Sequence, residues 1–152
     1  VEETQHGSKW HKTAQKGKWI AGINSGGFKN AEINPQYLMT LETPDDGDKC
    51  SIVITLMQHS DGLAISFFVY HVTNEDLLCH KPMREDFFKK ATREEKRKVS
   101  YSMEVNCSFK LLPGKYLIVP FNRTCDSGEF LVRVFSHNKC HLEAYESSSN
   151  DA

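Results

Sequence analysis

The sequence has little net charge and lacks long hydrophobic runs. Its 19 basic and 20 acidic residues leave a formal net charge of −1 over 152 residues. Nucleic-acid-binding domains usually carry a strongly basic face, so this balance predicts no nucleic-acid partner. No apolar stretch approaches the ~20 residues that a membrane-spanning helix requires. The first residues also lack the basic and apolar regions of a secretory signal.

Cysteine occurs five times, but never in the sequence context of a catalytic or metal-binding residue. An odd number of widely spaced cysteines in a chain of this length favours free thiols and a reducing compartment. We therefore expect a cytoplasmic protein, with the nucleus and the membrane periphery as alternatives. No cysteine stands in the Cys-Gly-x-Cys context of a papain-like nucleophile, so no catalytic residue is predicted. No Cys-x2-Cys pair is present, and we interpret His137, Cys140 and His141 as chance neighbours in a surface loop rather than a zinc site.

Apolar and polar side chains alternate along much of the chain. The alternation is strictest over residues 99–111, which predicts a strand with one face in a core and the other in water. Similar patterns predict strands over 37–41, 51–58, 65–72, 116–119 and 130–135, with Pro120 ending the fourth of these. Residues 51–58, 65–72 and 130–135 are apolar on both faces, so we expect them to be central. Arg133 is then expected in an ion pair inside the sandwich, and His71 in the core with a hydrogen bond.

Several short strands with little helix predict an all-β fold, an antiparallel sandwich of eight strands. Residues 10–145 are expected to form this domain. Residues 1–9 have the polar composition of a linker, and residues 146–152 that of a flexible C-terminal tail.

Several sequence blocks resemble the C2-like domain of the calpains, known as domain III, and follow the order of that family. They are GKWIAGINSGGFKN at 17–30, NPQY at 34–37, LMQ at 56–58, FVYHV at 68–72, LPGKYLIVP at 112–120 and GEFLVRVFS at 128–136. The loop at 42–49 is shorter than the long acidic loop of classical calpains. This departure points to an atypical calpain of the PalB type, and the polar tail to the distal of its two tandem C2-like domains.

The resemblance implies a C2-like sandwich that does not itself cut peptides. The parent protein would be an intracellular cysteine endopeptidase with a papain-like Cys/His/Asn core outside this chain. The domain would pack on that core and on neighbouring domains, and would bind anionic phospholipid with or without calcium. One alternative is a protein-interaction module that binds neither lipid nor calcium. Another is an extracellular lectin-like sandwich, which would pair its cysteines.

A basic segment is the strongest candidate for a binding site. Residues 81–98 contain eight basic and four acidic residues, a local excess of +4 in a nearly neutral chain. Such a segment would attract an anionic membrane, an acidic protein or another domain of the same protein. The densest positions are Lys89, Lys90, Arg93, Lys96, Arg97 and Lys98.

Calcium is the one ion for which the sequence offers candidate ligands, and no other cofactor is expected. Asp45, Asp46 and Asp48 supply hard oxygen donors within one loop. Calcium takes 6–8 oxygen ligands, and a second acidic loop would have to come from Asp126 and Glu129. One loop offers too few ligands, so an ordinary solvated turn is favoured over a calcium site.

Overall fold

The computed structural model describes residues 10–42, 49–59, 62–94 and 101–147. Within these ranges, eight strands form two four-stranded antiparallel sheets, which confirms the predicted all-β sandwich. The first sheet has the order β1-β7-β3-β5 and the second the order β4-β6-β2-β8. The strands are β1 (His11–Trp19), β2 (Tyr37–Leu41), β3 (Cys50–Gln58), β4 (Ile65–Val72), β5 (Glu104–Leu111), β6 (Gly114–Asn122), β7 (Gly128–Ser136) and β8 (Cys140–Ala144).

The main core fills the space between the two sheets. Alternate residues of each strand point into it, because successive side chains of a strand face opposite ways. Trp19, at the end of β1, is buried against the Phe130 ring, and its indole Nε1 donates to the Pro120 carbonyl oxygen at 3.2 Å. Burial of an aromatic residue with its N–H satisfied stabilises the contact between the two sheets.

A second apolar cluster covers the outer face of the second sheet. Helix α1 (Glu85–Lys90) and the residues before it lie on this face, and Met83 and Phe87 pack against Phe68 and Tyr70. This covering explains why β4 is apolar on both faces. The prediction that β4 is central was wrong, because it is an edge strand whose outer side is buried by a segment from elsewhere in the chain.

The free edge of β4 is closed by the residues that follow helix α1. The His71 amide donates to the Thr92 carbonyl oxygen at 2.9 Å, and the Glu94 amide donates to the Val69 carbonyl oxygen at 2.8 Å. These bonds satisfy backbone groups that an edge strand would otherwise expose to a second chain. His71 itself is exposed, so the prediction of a core histidine was wrong; it lies near the end of an edge strand, beyond the core.

Strand β5 begins later than the alternation predicts. It starts at Glu104, and Tyr101 and Met103 before it are 67% and 44% exposed; Val99 lies outside the described residues. Gln58 holds the backbone of the residues before β5, because its backbone N–H donates to the Met103 carbonyl oxygen at 2.9 Å. The alternation of apolar and polar residues therefore begins several residues before strand β5 does.

Strand β6 is longer than predicted and runs through Pro120 to Asn122. Its pairing with β2 reaches only Ile118, so Pro120 has a strand partner on one side alone, opposite Phe67. A residue without an N–H is tolerated where the ladder is open on one side.

Arg133 forms the expected ion pair, but not inside the sandwich. Its Nη2 lies 2.8 Å from Glu104 Oε2, and its Nε donates to Thr55 Oγ1 at 3.3 Å. All three residues lie on the outer face of the first sheet, opposite the core. The prediction of the pair is confirmed, and the prediction of its place was wrong.

Candidate docking surface

Four buried amide side chains hold the loops at one end of the sandwich. Asn34, Gln36, Gln58 and Asn122 are each at most 4% exposed. A buried amide is costly unless its oxygen and nitrogen are both bonded. Each of the four makes its bonds largely to loop backbone, so the loops next to the candidate surface are fixed by the core.

Asn34 fixes the glycine-rich loop that follows β1. Its Oδ1 accepts from the Gly26 amide at 2.8 Å, and its Nδ2 donates to the Gly27 carbonyl oxygen at 3.0 Å. Gly27 has φ +67°, and a Cβ there would lie 2.8 Å from Cys125 Sγ. Glycine permits both this backbone conformation and the close approach. The loop then presents Phe28 and Lys29 at the surface.

Asn122 performs the same task for the loop after β6. Its Nδ2 donates to the Asp126 carbonyl oxygen at 3.0 Å, and its Oδ1 accepts from the Asp126 amide at 2.9 Å. Ser25 Oγ also donates to the Asp126 carbonyl oxygen, at 2.9 Å. These bonds join the loop after β1 to the loop after β6 and hold Arg123 beside Phe28.

Gln36 anchors the segment that leads into helix α1. Its Nε2 donates to the Met83 carbonyl oxygen at 2.9 Å, and its Oε1 accepts from the Met83 amide at 2.8 Å. Helix α1 also lies beside the short 3-10 helix Ala31–Ile33. The helix that carries Lys89 and Lys90 is therefore held next to the loop that carries Phe28.

These elements together form a basic–aromatic surface, defined here as Phe28, Lys29, Arg93 and Arg123. Phe28 is 48% exposed, and its ring centre lies 5.7 Å from that of Phe68. The Arg93 guanidinium lies 4.6 Å from the same Phe68 ring centre, in cation–π distance. The surface thus combines an exposed aromatic ring with three cations from three separate parts of the chain.

A cleft of about 540 Å³ opens within this surface. It is lined by Phe28, Lys29 and Arg123, with Asn30 and Cys125 beside them, and none of the described residues in its lining carries a carboxylate. Among the residues that the structure describes, neither Lys29 nor Arg123 takes part in an ion pair. The cleft therefore favours an anionic group.

The predicted basic segment lies partly in this region. Lys89 and Lys90 are exposed on helix α1, and Lys89 lies 3.9 Å from Glu85, an exposed pair of the kind that contributes little to stability. Arg93 is half-buried on Phe68. Lys96, Arg97 and Lys98 lie outside the described residues, and their role stays a prediction.

Sequence reasoning missed Phe28, Lys29 and Arg123. They are remote from the basic segment along the chain and meet it only through the packing of the second sheet. The one signal was local: a large apolar residue beside a lysine, directly after two glycines.

The calcium candidates Asp45, Asp46 and Asp48 lie outside the described residues, and their role stays a prediction. Leu41, before their loop, pairs with Gly114 at the start of β6, whereas Asp126 follows the end of β6. The length of β6 separates these two positions by roughly 26 Å. Among the described residues, no group of three or more His, Cys, Asp or Glu side chains is placed to hold a metal ion.

The cysteines give no indication of a catalytic thiol. All five lie within the described ranges and none is joined by a disulfide. Burial, with a smaller effect of the nearby Cys50, raises the pKa of the Cys140 thiol to about 12. A thiol that stays protonated is a poor nucleophile. Among the described residues, no helix is long and apolar enough to cross a membrane.

Comparison with known proteins assigns the family. Residues 15–135 match domain III of the calpain large subunit. Calpain-B of Drosophila melanogaster is 39% identical over 94% of this chain and 18% of its own length. Calpain-A of the same organism is 33% identical over 89% of this chain and 18% of its own length. The chain thus spans about a fifth of the length of the curated relatives that it matches.

A solved structure supports the fold alone. The pre-peptidase C-terminal domain of a collagenase from Bacillus anthracis superimposes with a TM-score of 0.50 at 14% identity, covering 81% of this chain and 88% of that chain. The PalB-type assignment stays a prediction. The family match and the identity to the Drosophila proteins show that this chain belongs to the calpain family and corresponds to domain III, a non-catalytic part of these cysteine proteases.

Proposed function

We propose that this chain is a docking and regulatory domain of a calpain-like cysteine endopeptidase of the cytoplasm. It packs on the protease core and binds anionic phospholipid through the basic–aromatic surface. The observation that carries the proposal is the exposed Phe28 ring, which lines one cleft together with Lys29 and Arg123 and with no carboxylate among the described residues. The core itself would be supplied by the rest of the parent protein.

The chemistry of this surface suits an anionic bilayer. A cation near such a surface contributes about 1 kcal/mol, and three cations lie around Phe28, with Lys89 and Lys90 on the adjacent helix. An aromatic side chain gains further by entering the boundary between head groups and acyl chains. Because the attraction is electrostatic in part, it weakens as salt rises.

Co-sedimentation with vesicles tests the proposal. The chain is mixed with vesicles of phosphatidylcholine alone or with phosphatidylserine, in calcium or in chelator, at low and at high salt. We expect binding that requires phosphatidylserine, weakens with salt and does not need calcium. Binding that requires calcium would instead support a site at Asp45, Asp46 and Asp48. No binding in any condition would favour the protein-interaction module.

Matched variants test whether the vesicle contact is made through the basic–aromatic surface. Phe28→Ser and Lys29→Gln are expected to reduce the bound fraction. Leu112→Ser and Lys110→Gln change an apolar residue that is 59% exposed and a lysine, both at the other end of the sandwich, and should bind like the unchanged chain. Equal losses in both pairs would show that the binding is not confined to the basic–aromatic surface.

A further inference from the structure

A groove separates two edge strands on the side of the sandwich away from β4. Strand β1 is an edge of the first sheet and β8 is an edge of the second. Gln15 ties them together, because its Nε2 donates to the Leu142 carbonyl oxygen at 3.1 Å. Beyond this bond, toward Trp19, the strands diverge and leave a groove of about 410 Å³.

The floor of the groove holds a tyrosine hydroxyl that makes no hydrogen bond within the described residues. Tyr37 is 4% exposed and lines the groove beside Gly17. A side chain at Gly17 would collide with the Tyr37 hydroxyl, so glycine keeps the way to it open. Among the described residues, no hydrogen bond uses this hydroxyl. Among the described residues, the one fully enclosed side-chain atom without a partner is Ser66 Oγ. The Tyr37 hydroxyl therefore reaches the groove surface, where its unused donor is open to a group that enters the groove.

Burial, with the nearby charge of Glu146 as a lesser cause, raises the pKa of Tyr37 well above its ordinary value. The hydroxyl therefore stays protonated and can donate to a carbonyl oxygen. The edge of β1 adds further unused groups. No backbone hydrogen bond of the described residues joins β1 to β8 here, although alternate residues of an edge strand direct N–H and C=O groups outward.

The two walls of the groove differ in chemistry. Lys16 and Lys18, which pair with Leu131 and Glu129 across the first sheet, lie on the outer side of β1. Ile20 and Ile33, both exposed, line the groove as well, together with Pro35, Pro82 and Tyr145. A strand laid along β1 would present alternate side chains to the lysines and to the apolar residues, because its side chains alternate between two faces.

We infer that this groove binds an extended peptide segment as an added strand along β1. Acidic side chains of the segment lie toward Lys16 and Lys18, and apolar side chains toward Ile20 and Ile33. A main-chain carbonyl of the segment accepts a hydrogen bond from the Tyr37 hydroxyl. Addition of a strand to an exposed edge is a recurrent mode of peptide recognition. A second copy of β1 is a poor occupant because it would set lysines against lysines.

This site is distinct from the basic–aromatic surface, and its occupant is a polypeptide rather than a membrane. The test uses the 152-residue chain and a fluorescein-labelled peptide of sequence Glu-Val-Glu-Val-Glu-Val, followed by fluorescence anisotropy. The comparison peptides are Lys-Val-Lys-Val-Lys-Val and Glu-Glu-Glu-Val-Val-Val. We expect saturable binding of the alternating acidic peptide, stronger at low salt, and weaker binding of both others.

Variants of the chain sharpen the test. Tyr37→Phe removes only the hydroxyl and should weaken binding by about 3- to 10-fold, the worth of one hydrogen bond. It should leave the melting temperature unchanged or raised, because the hydroxyl has no partner to lose. Lys16→Glu with Lys18→Glu should abolish binding. Lys110→Glu on β5 is the matched control and should bind like the unchanged chain, and all these variants should keep their binding to vesicles.

Three results would overturn the inference. They are no saturable binding of the acidic alternating peptide, equal binding of the Lys-Val peptide, and unchanged affinity in both Tyr37→Phe and the double lysine variant. A lower melting temperature of Tyr37→Phe would also contradict it, because the hydroxyl would then have a structural partner. Hydrogen exchange gives a further readout: those backbone amides of residues 16–18 that point away from β7 should gain protection only when the acidic peptide is present.

Discussion

Gln36 and Met83 exchange two hydrogen bonds, one in each direction, as two paired strand residues would. A single side-chain amide thus takes the place of a neighbouring backbone. It ties β2, in the middle of the second sheet, to the segment that carries helix α1. The position of the basic helix relative to the sandwich depends on this contact.

Replacing Gln36 by alanine should loosen that segment. The Met83 amide and carbonyl would be left buried without partners, which costs about 1–3 kcal/mol in unfolding free energy. Urea denaturation measures the loss, and hydrogen exchange should locate faster opening in residues 83–94. Gln15→Ala, which removes one half-buried bond to Leu142, is the control and should cost less. Equal losses of unfolding free energy in the two variants would mean that the bonds to Met83 contribute no more to stability than the bond to Leu142.

Two glycines with similar backbone angles should respond differently to alanine. Gly22 and Gly27 have φ +81° and +67°, so both substitutions carry the strain of a left-handed residue, about 1–2 kcal/mol. A Cβ at Gly27 would also press on Cys125 Sγ, whereas at Gly22 nothing lies within 4 Å. Thermal unfolding should therefore show a larger loss for Gly27→Ala. A larger loss for Gly22→Ala would contradict the packing described for this loop.

The ion pair between Arg133 and Glu104 should contribute modestly to stability. Its side chains are 26% and 33% exposed, between the exposed and the buried cases. Glu104→Gln should lower the unfolding free energy by about 1–2 kcal/mol, between the ranges for surface and buried pairs. Lys89→Gln, which removes the exposed pair with Glu85, is expected to change the urea midpoint little. A null result for Glu104→Gln would show that Thr55 suffices to hold the guanidinium.

Stability should fall in strongly alkaline solution. Burial raises the pKa of Cys140 from 9.0 to about 12 and that of Tyr116 from 10.0 to about 12. Between pH 9 and 12 the unfolded chain loses these protons first, so unfolding is favoured as pH rises. Below pH 9 the contribution of Cys140 is fully present. Melting temperatures across this range measure the effect, and Cys140→Ala should flatten the slope.

Thiol labelling gives an independent check of cysteine burial. Cys79 and Cys125 are exposed, whereas Cys50 is buried and Cys140 is half-buried with a raised pKa. Brief alkylation of the folded chain, read by mass spectrometry, should modify Cys79 and Cys125 first. All five thiols should react in denaturant without reductant. Fewer than five would indicate a disulfide and would favour the extracellular lectin-like alternative.

The positions of most strands could be predicted from the sequence because side-chain alternation depends on local backbone geometry alone. The place of a strand within its sheet was predicted correctly for β3 and β7, which are central, but not for β4, which is an edge strand. Strand β4 is apolar on both faces as a central strand would be, but its outer face is covered by Met83 and Phe87, which are distant along the chain. Apolar side chains on both faces of a strand indicate that both faces are buried, but they do not say whether neighbouring strands or a distant segment of the chain bury them.

The candidate surface was harder to predict for the same reason. Lys89, Lys90 and Arg93 could be found because they are close together in sequence. Lys29 and Arg123 join them only after β1 and β6 have brought their loops to one end of the sandwich. The buried amides were missed because Asn34, Gln36 and Gln58 are polar, and polar residues before or at the end of a predicted strand are taken to face water.

The four buried amides bind the backbone of the loops, so Lys29 and Arg123 are not needed to hold it. A loop anchored in this manner keeps its course when the residues at its surface are exchanged. Lys29 and Arg123 could therefore be replaced together by acidic or neutral residues while the loops hold their shape. The charge of the binding face can thus change through surface substitutions, while the hydrogen bonds that fix the loops to the sandwich stay the same.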